Sequence, residues 1–162
     1  MNQLPNIAAM LRAQQVQALL LTNDAPESIQ YATGFGGLEG MVLITAAGKG
    51  FVLTDSRYIE AARARLTPLG FAVSVPPQGG PSAPALRALL EGEQITRLAF
   101  LAQCMSVQTH QRLTAALPDC TLEPLGEGLT RLRQIKDQDE IACLRQAQRI
   151  APLLEQPSTG KR

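Results

Sequence analysis

Met41-Val42-Leu43-Ile44-Thr45, then Ala47-Gly48-Lys49-Gly50, then Phe51-Val52-Leu53-Thr54 is the stretch on which the fold turns. Two short apolar runs of β-forming residues flank a glycine-bearing turn, and such a pair folds back on itself as an antiparallel hairpin. On the far side, Asp55-Ser56 can cap a helix running to about Leu66, and Gly70 stops it before a strand at Phe71 to Val75.

Upstream, Leu4, Ile7, Ala8 and Leu11 recur at helical steps and place one apolar stripe on a first helix ending near Gln15. A strand follows over Ala18 to Thr22. Asn23 and Asp24 can cap a second helix with Pro26 in its first turn, which ends before Gly34-Phe35-Gly36-Gly37. Downstream, the proline-rich Pro76 to Pro84 reads as a loop, Ala85 to Glu91 and Val107 to Leu117 as helices, and Leu98 to Leu101 and Thr121 to Glu123 as strands. About six strands interleave with helices and one hairpin lies among them, so the spacing predicts an α/β domain with a mixed sheet covered by helices.

Near the C-terminus, Asp137 and Glu140 can form a capping box, and Ile141, Leu144, Ala147 and Ile150 keep helical spacing behind it. Pro152 lacks an N–H and disfavours helix at Ala151, so this helix is expected to end or kink there. The expected division is a domain over 1–136, a linker helix over 137–151 and a flexible tail over 152–162.

The 162 residues carry 15 Lys and Arg against 14 Asp and Glu, a net charge of +1 that gathers no phosphate backbone. With six aromatics and no Trp, a single-strand stacking surface is also unsupported. No apolar run, Ala18 to Leu21 among them, is long enough to span a bilayer, and the first residues lack the pattern of a signal peptide, so a cytoplasmic protein with neither nucleic-acid nor membrane partner is expected. Cys104, Cys120 and Cys143 contain no CxxC pair and read as buried free thiols.

Chemistry is sparse. His110 is the chain's one histidine, which leaves a metal centre short of ligands. A thiol nucleophile built from Cys104 or Cys120 with His110 needs a contact that sequence proximity does not establish. Gly34-Phe35-Gly36-Gly37-Leu38-Glu39-Gly40 fails as a dinucleotide fingerprint, because Glu39 stands where the third glycine belongs and a strand follows. Ser158-Thr159-Gly160-Lys161 fails as a phosphate loop, since Glu155 and Arg162 occupy required positions. Thr54-Asp55-Ser56-Arg57-Tyr58 closes a strand and opens a helix, where a cap and a local ion pair are the plainest reading.

Three motifs, taken in order, do point somewhere. Tyr31-Ala32-Thr33-Gly34-Phe35 with Gly40 leading into a strand, Leu53-Thr54-Asp55-Ser56-Arg57-Tyr58, and Leu132-Arg133-Gln134-Ile135-Lys136-Asp137 with Glu140-Ile141 resemble the N-terminal domain of the creatinase, prolidase and Xaa-Pro aminopeptidase family, over roughly residues 3 to 151. The resemblance implies a ribonuclease H-like mixed sheet that holds no metal of its own. In this family a pair of Mn, Co or Zn ions works in a following pita-bread domain, and the segment from Arg133 to Ala151 resembles the helix that joins the two. What it implies for this chain is an accessory, noncatalytic role in subunit pairing and active-site shaping, as a homodimer or with a full-length relative, and a proline-containing peptide as substrate only beside a catalytic domain. Tyr31, Phe35, Gly36, Gly37 and Glu39 are the substrate-facing or interface candidates. Asp55, Arg57, Tyr58, Arg133, Lys136, Asp137 and Glu140 are assigned to structure. A free-standing interaction module derived from this family is the alternative.

Overall fold

The computed structural model describes residues 2–136 and 138–154. Its elements run α1 (Leu4–Ala13), β1 (Ala18–Leu21), α2 (Pro26–Thr33), β2 (Met41–Thr45), β3 (Gly50–Leu53), α3 (Ile59–Leu66), β4 (Phe71–Ser74), α4 (Ala83–Gly92), β5 (Arg97–Phe100), α5 (Val107–Ala116), β6 (Thr121–Pro124), α6 (Gly128–Gln134) and α7 (Gln138–Leu154).

The six strands form one mixed sheet in the order β4-β3-β2-β1-β5-β6. β2 is antiparallel to both of its neighbours, and the β1–β5, β5–β6 and β3–β4 pairs are parallel. Every strand except β2 therefore ends on the same edge of the sheet, where β2 begins. The hairpin of β2 and β3 is present, paired Val42 to Val52 and Leu43 to Phe51.

Alternation along the strands feeds two cores. Leu19 and Leu21, with Val42, Ile44 and Val52, pack with Ile7 and Leu11 of α1, Ile29 of α2 and Leu66 of α3. Ala18, Leu20, Leu43, Leu53 and Leu98 pack with Leu86 and Leu90 of α4 and Leu113 of α5. A strand buried on both faces must be apolar at successive positions, which is why β1 reads Ala-Leu-Leu-Leu.

Four local expectations change. No side chain caps α2: Asn23 and Asp24 bond to other segments instead, and Ala25 takes the cap position. Nor do Asp55 or Ser56 cap α3, which starts at Ile59, because Asp55 accepts the Arg57 N–H in a tight turn of its own. The sequence pattern does not predict α6, whose first residue, Gly128, sits beside the far ends of the flexible Met10 and Gln14 side chains of α1 and its C-cap. The segment after Arg133 is not one helix, since α6 ends at Gln134 and Ile135 and Lys136 intervene before α7.

The chain divides into a compact unit up to Leu132 and a second unit from Arg133. In the second unit α7 continues through Pro152 to Leu154. Proline forfeits one N–H bond, and so near the end of a helix of 17 residues that loss leaves the preceding turns intact. Asp137 of the expected capping box, and residues 155–162 of the expected tail, lie outside the described residues.

Candidate functional site

The segment between α2 and β2 crosses the edge where the parallel strands end. Phe35 and Leu38 of that segment are buried, and the Arg65 guanidinium lies 4.8 Å from the centre of the Phe35 ring. A cation over an aromatic face is attractive, so Phe35 anchors the loop and faces the core. Gly36 and Gly37, between these two anchors, are exposed.

Beyond them the backbone is held from two sides. The Thr54 hydroxyl donates to the Glu39 carbonyl at 2.7 Å, and the Gly40 N–H donates to Asn23 Oδ1 at 2.7 Å. A Cβ on Gly40 would overlap the Leu53 carbonyl, so glycine alone fits this crossing.

Glu39 is part of the neighbouring ionic corner. Arg57 Nη2 donates to Glu39 Oε2 at 2.9 Å and to Asp55 Oδ2 at 2.7 Å, and the Arg57 backbone N–H donates to Asp55 Oδ1 at 2.8 Å. The guanidinium also stands 5.2 Å from the Tyr58 ring centre. Hydrogen bonding from Arg57 holds the Asp55 carboxyl below its ordinary pKa, and the same bonds push Arg57 up. The structure thus joins Glu39, a substrate-facing or interface candidate from the sequence, to Asp55, Arg57 and Tyr58, assigned there to structure. Tyr31 stands apart from this corner, half-buried, its hydroxyl donating to Gln3 Oε1 at 3.3 Å.

Arg133, Lys136 and Glu140 belong to the second unit, where the Lys136 ammonium donates to the Arg133 carbonyl. A second constellation on the strand-end edge had no signal in the sequence: Thr22, Asn23, Asp24, Thr109 and Arg112 line one pocket, and nothing marks residues so far apart in the chain as neighbours.

The thiol–histidine pairing is not formed. His110 packs against Phe100 with ring centres 5.0 Å apart, and no hydrogen bond joins it to Cys104 or Cys120 among the described residues. Burial pushes the Cys120 thiol up, away from the thiolate a nucleophile needs. Nor do the described residues fit a dinuclear metal centre: they assemble no group of three or more His, Cys, Asp or Glu, and the two carboxylates of the ionic corner already share Arg57.

A sheet of this order, with hairpin, loop and ionic corner at these positions, defines an α/β domain built on a mixed six-stranded sheet. The chain belongs to the Creatinase/Prolidase N-terminal domain family, whose model matches residues 3–135. It is 31% identical over 136 residues to the uncharacterized peptidase YqhT of Bacillus subtilis, covering 84% of this chain and 36% of that protein. The X-Pro aminopeptidase of Thermotoga maritima superposes with a TM-score of 0.77 at 25% identity, over 88% of this chain and 40% of that one. A structure of a Xaa-Pro aminopeptidase from Streptococcus pyogenes superposes with a TM-score of 0.69 at 30% identity, over 80% of this chain and 94% of that one. The chain therefore spans little more than a third of YqhT. No helix among the described residues is long and apolar enough to cross a membrane.

Proposed function

We propose that this chain is the noncatalytic N-terminal domain of a Xaa-Pro metallopeptidase and serves subunit pairing and the shaping of an active site. The observation that carries the reading is coverage: the family match takes up residues 3–135, yet the aligned region is 36% of YqhT. On this reading the hydrolytic centre, with its two divalent Mn, Co or Zn ions, belongs to a catalytic domain, and proline-containing peptides are substrates only in its presence. A cytoplasmic location goes with it.

The loop supplies the physical means of shaping. Phe35 and Leu38 are sunk in the core, Glu39 is tied to Arg57, and the exposed Gly36-Gly37 backbone is presented between fixed points. A segment tethered at both ends loses little entropy when a neighbour packs on it. Exposed Ile135, Leu144 and Ile150 of the second unit favour pairing with another chain, either a second copy or a full-length relative.

The test uses the 162-residue chain. With Mn, Co or Zn present it is expected to release no proline from an Xaa-Pro dipeptide, and turnover that tracks the protein through purification overturns the noncatalytic assignment. Sedimentation, alone and mixed with a full-length relative, reads the pairing role. A chain that stays monomeric and binds no relative removes that role.

A further inference from the structure

The pocket on the strand-end edge has a volume of about 180 Å³ and is lined by Thr22, Asn23, Asp24, Gly40, Met41, Pro81, Thr109 and Arg112. It lies where the chain order of the sheet reverses: β2 departs from β1 to one side, and β5 joins β1 on the other. Ligands of open α/β sheets bind at that kind of switch point, outside the carboxyl ends of the strands. The volume is below the roughly 300 Å³ at which drug-sized pockets begin, so the site suits a small molecule.

Its polar groups are unevenly satisfied. Asn23 spends Oδ1 on the Gly40 N–H, leaving its amide N–H groups as donors. Asp24 Oδ2 accepts the Ser106 N–H at 3.1 Å, which fixes the carboxylate and leaves its second oxygen open. Thr109 is positioned by Ser106, whose hydroxyl bonds it at 2.8 Å. Thr22 is 7% exposed, and its hydroxyl has no hydrogen-bond partner among the described residues. Arg112 and Asp24 line the same cavity without forming an ion pair, with each other or with any other described residue.

Opposite charges that line one small cavity without pairing to each other are matched by a ligand that carries both. We infer that this pocket binds a free α-amino acid, its carboxylate on Arg112 with the Asn23 amide and the Thr22 hydroxyl, its ammonium on Asp24, and its short side chain against Met41 and Pro81. A guanidinium suits a carboxylate by its forked donors. A simple anion would leave Asp24 facing like charge, and a simple cation would do the same to Arg112.

The test is a titration of the 162-residue chain, labelled with 15N, with L-alanine, and in parallel with acetate, methylammonium and inorganic phosphate. L-alanine is expected to give saturable shifts centred on residues 22–24, 40 and 109–112, with a Kd of roughly millimolar order. Each of the three fragments and ions is expected to bind at least about tenfold more weakly, since each engages one charge only. Asp24→Asn keeps an acceptor for Ser106, and Arg112→Gln changes an exposed side chain, so both variants should retain the dispersed spectrum of the folded chain while losing about tenfold in affinity. Thr22→Val provides a further variant of nearly unchanged shape. Absence of saturable shifts with L-alanine, binding of acetate or phosphate as tight as that of L-alanine, or unchanged affinity in the folded Asp24→Asn and Arg112→Gln variants overturns the assignment.

Discussion

Two arginines sit on one edge of the sheet and are treated oppositely. Arg57 is matched by Glu39 and Asp55 and lies against Tyr58, so its Nε and Nη2 donors are committed within the chain. Arg112 faces a cavity that also holds Asp24, and the two remain unpaired. An exposed pair of charges adds little to stability, because solvent screens it and the side chains lose entropy. What the paired corner does is fix geometry: Arg57 ties the loop before β2 to the turn after β3. The open constellation keeps its charges free for something from outside. Charge alone therefore does not mark a site on this edge; commitment of the donors does.

Gly40 lies between the two regions, bonded to Asn23 of the pocket and in contact with Leu53 beside the corner, and it is the place to break both at once. Gly40→Ala is expected to cost about 2 to 3 kcal/mol, since a Cβ must displace backbone and overpacking of this kind is expensive. Urea denaturation measures it, and a loss below about 0.5 kcal/mol, the range of ordinary surface changes, would show that the crossing relaxes freely. Asn23→Ala removes the acceptor for the Gly40 N–H and should cost about 1 kcal/mol, read in the same way.

The corner itself is sharpened by pH. The Asp55 carboxyl is held below its ordinary value in the folded chain, so its contribution to stability is complete above the unfolded carboxylate pKa of about 4 and is lost as pH falls through the lower folded value. Stability measured across that acid window should fall less steeply in Asp55→Asn than in the parent chain; identical slopes would mean that the pair does nothing for the fold. Arg57→Ala should speed amide exchange at Glu39 without global unfolding. The smallest effect is expected for Arg112→Ala, a change within about 0.5 kcal/mol, because this side chain has no partner among the described residues to lose. A larger loss there would place Arg112 with Arg57, among groups that hold the fold.

The fold was legible where one physical signal dominated. Continuous aliphatic runs at 18–21 and 41–45 fixed the central strands, and the glycine-bearing turn joined β2 to β3. The caps were misread for a different reason: Asn, Asp and Ser bond equally well to a nearby helix end, to their own turn or to a distant backbone. Asn23, Asp24 and Asp55 took the second and third of these, and only tertiary placement decides among them. α6 is hidden by its shortness and by Gly126 and Gly128, which read as turn residues. Within the site, the ion pairing of Glu39 with Arg57 and the pocket between Asp24 and Arg112 depend on contacts between distant segments, which no local spacing reports.

The order of the sheet also sets an order in time. β2 and β3 pair across a short turn, whereas β1 must wait for β5, with Ala18 opposite Leu98, until most of the chain is available. Hairpins close in about 1 to 10 µs, and joining distant segments carries a larger entropy cost. Pulse-labelled hydrogen exchange should accordingly protect Val42 and Val52 before Leu98. The paired corner is assembled from segments made early, while the amino-acid pocket needs α5, so ligand binding there counts only those molecules in which α5 has reached the hairpin side of the sheet.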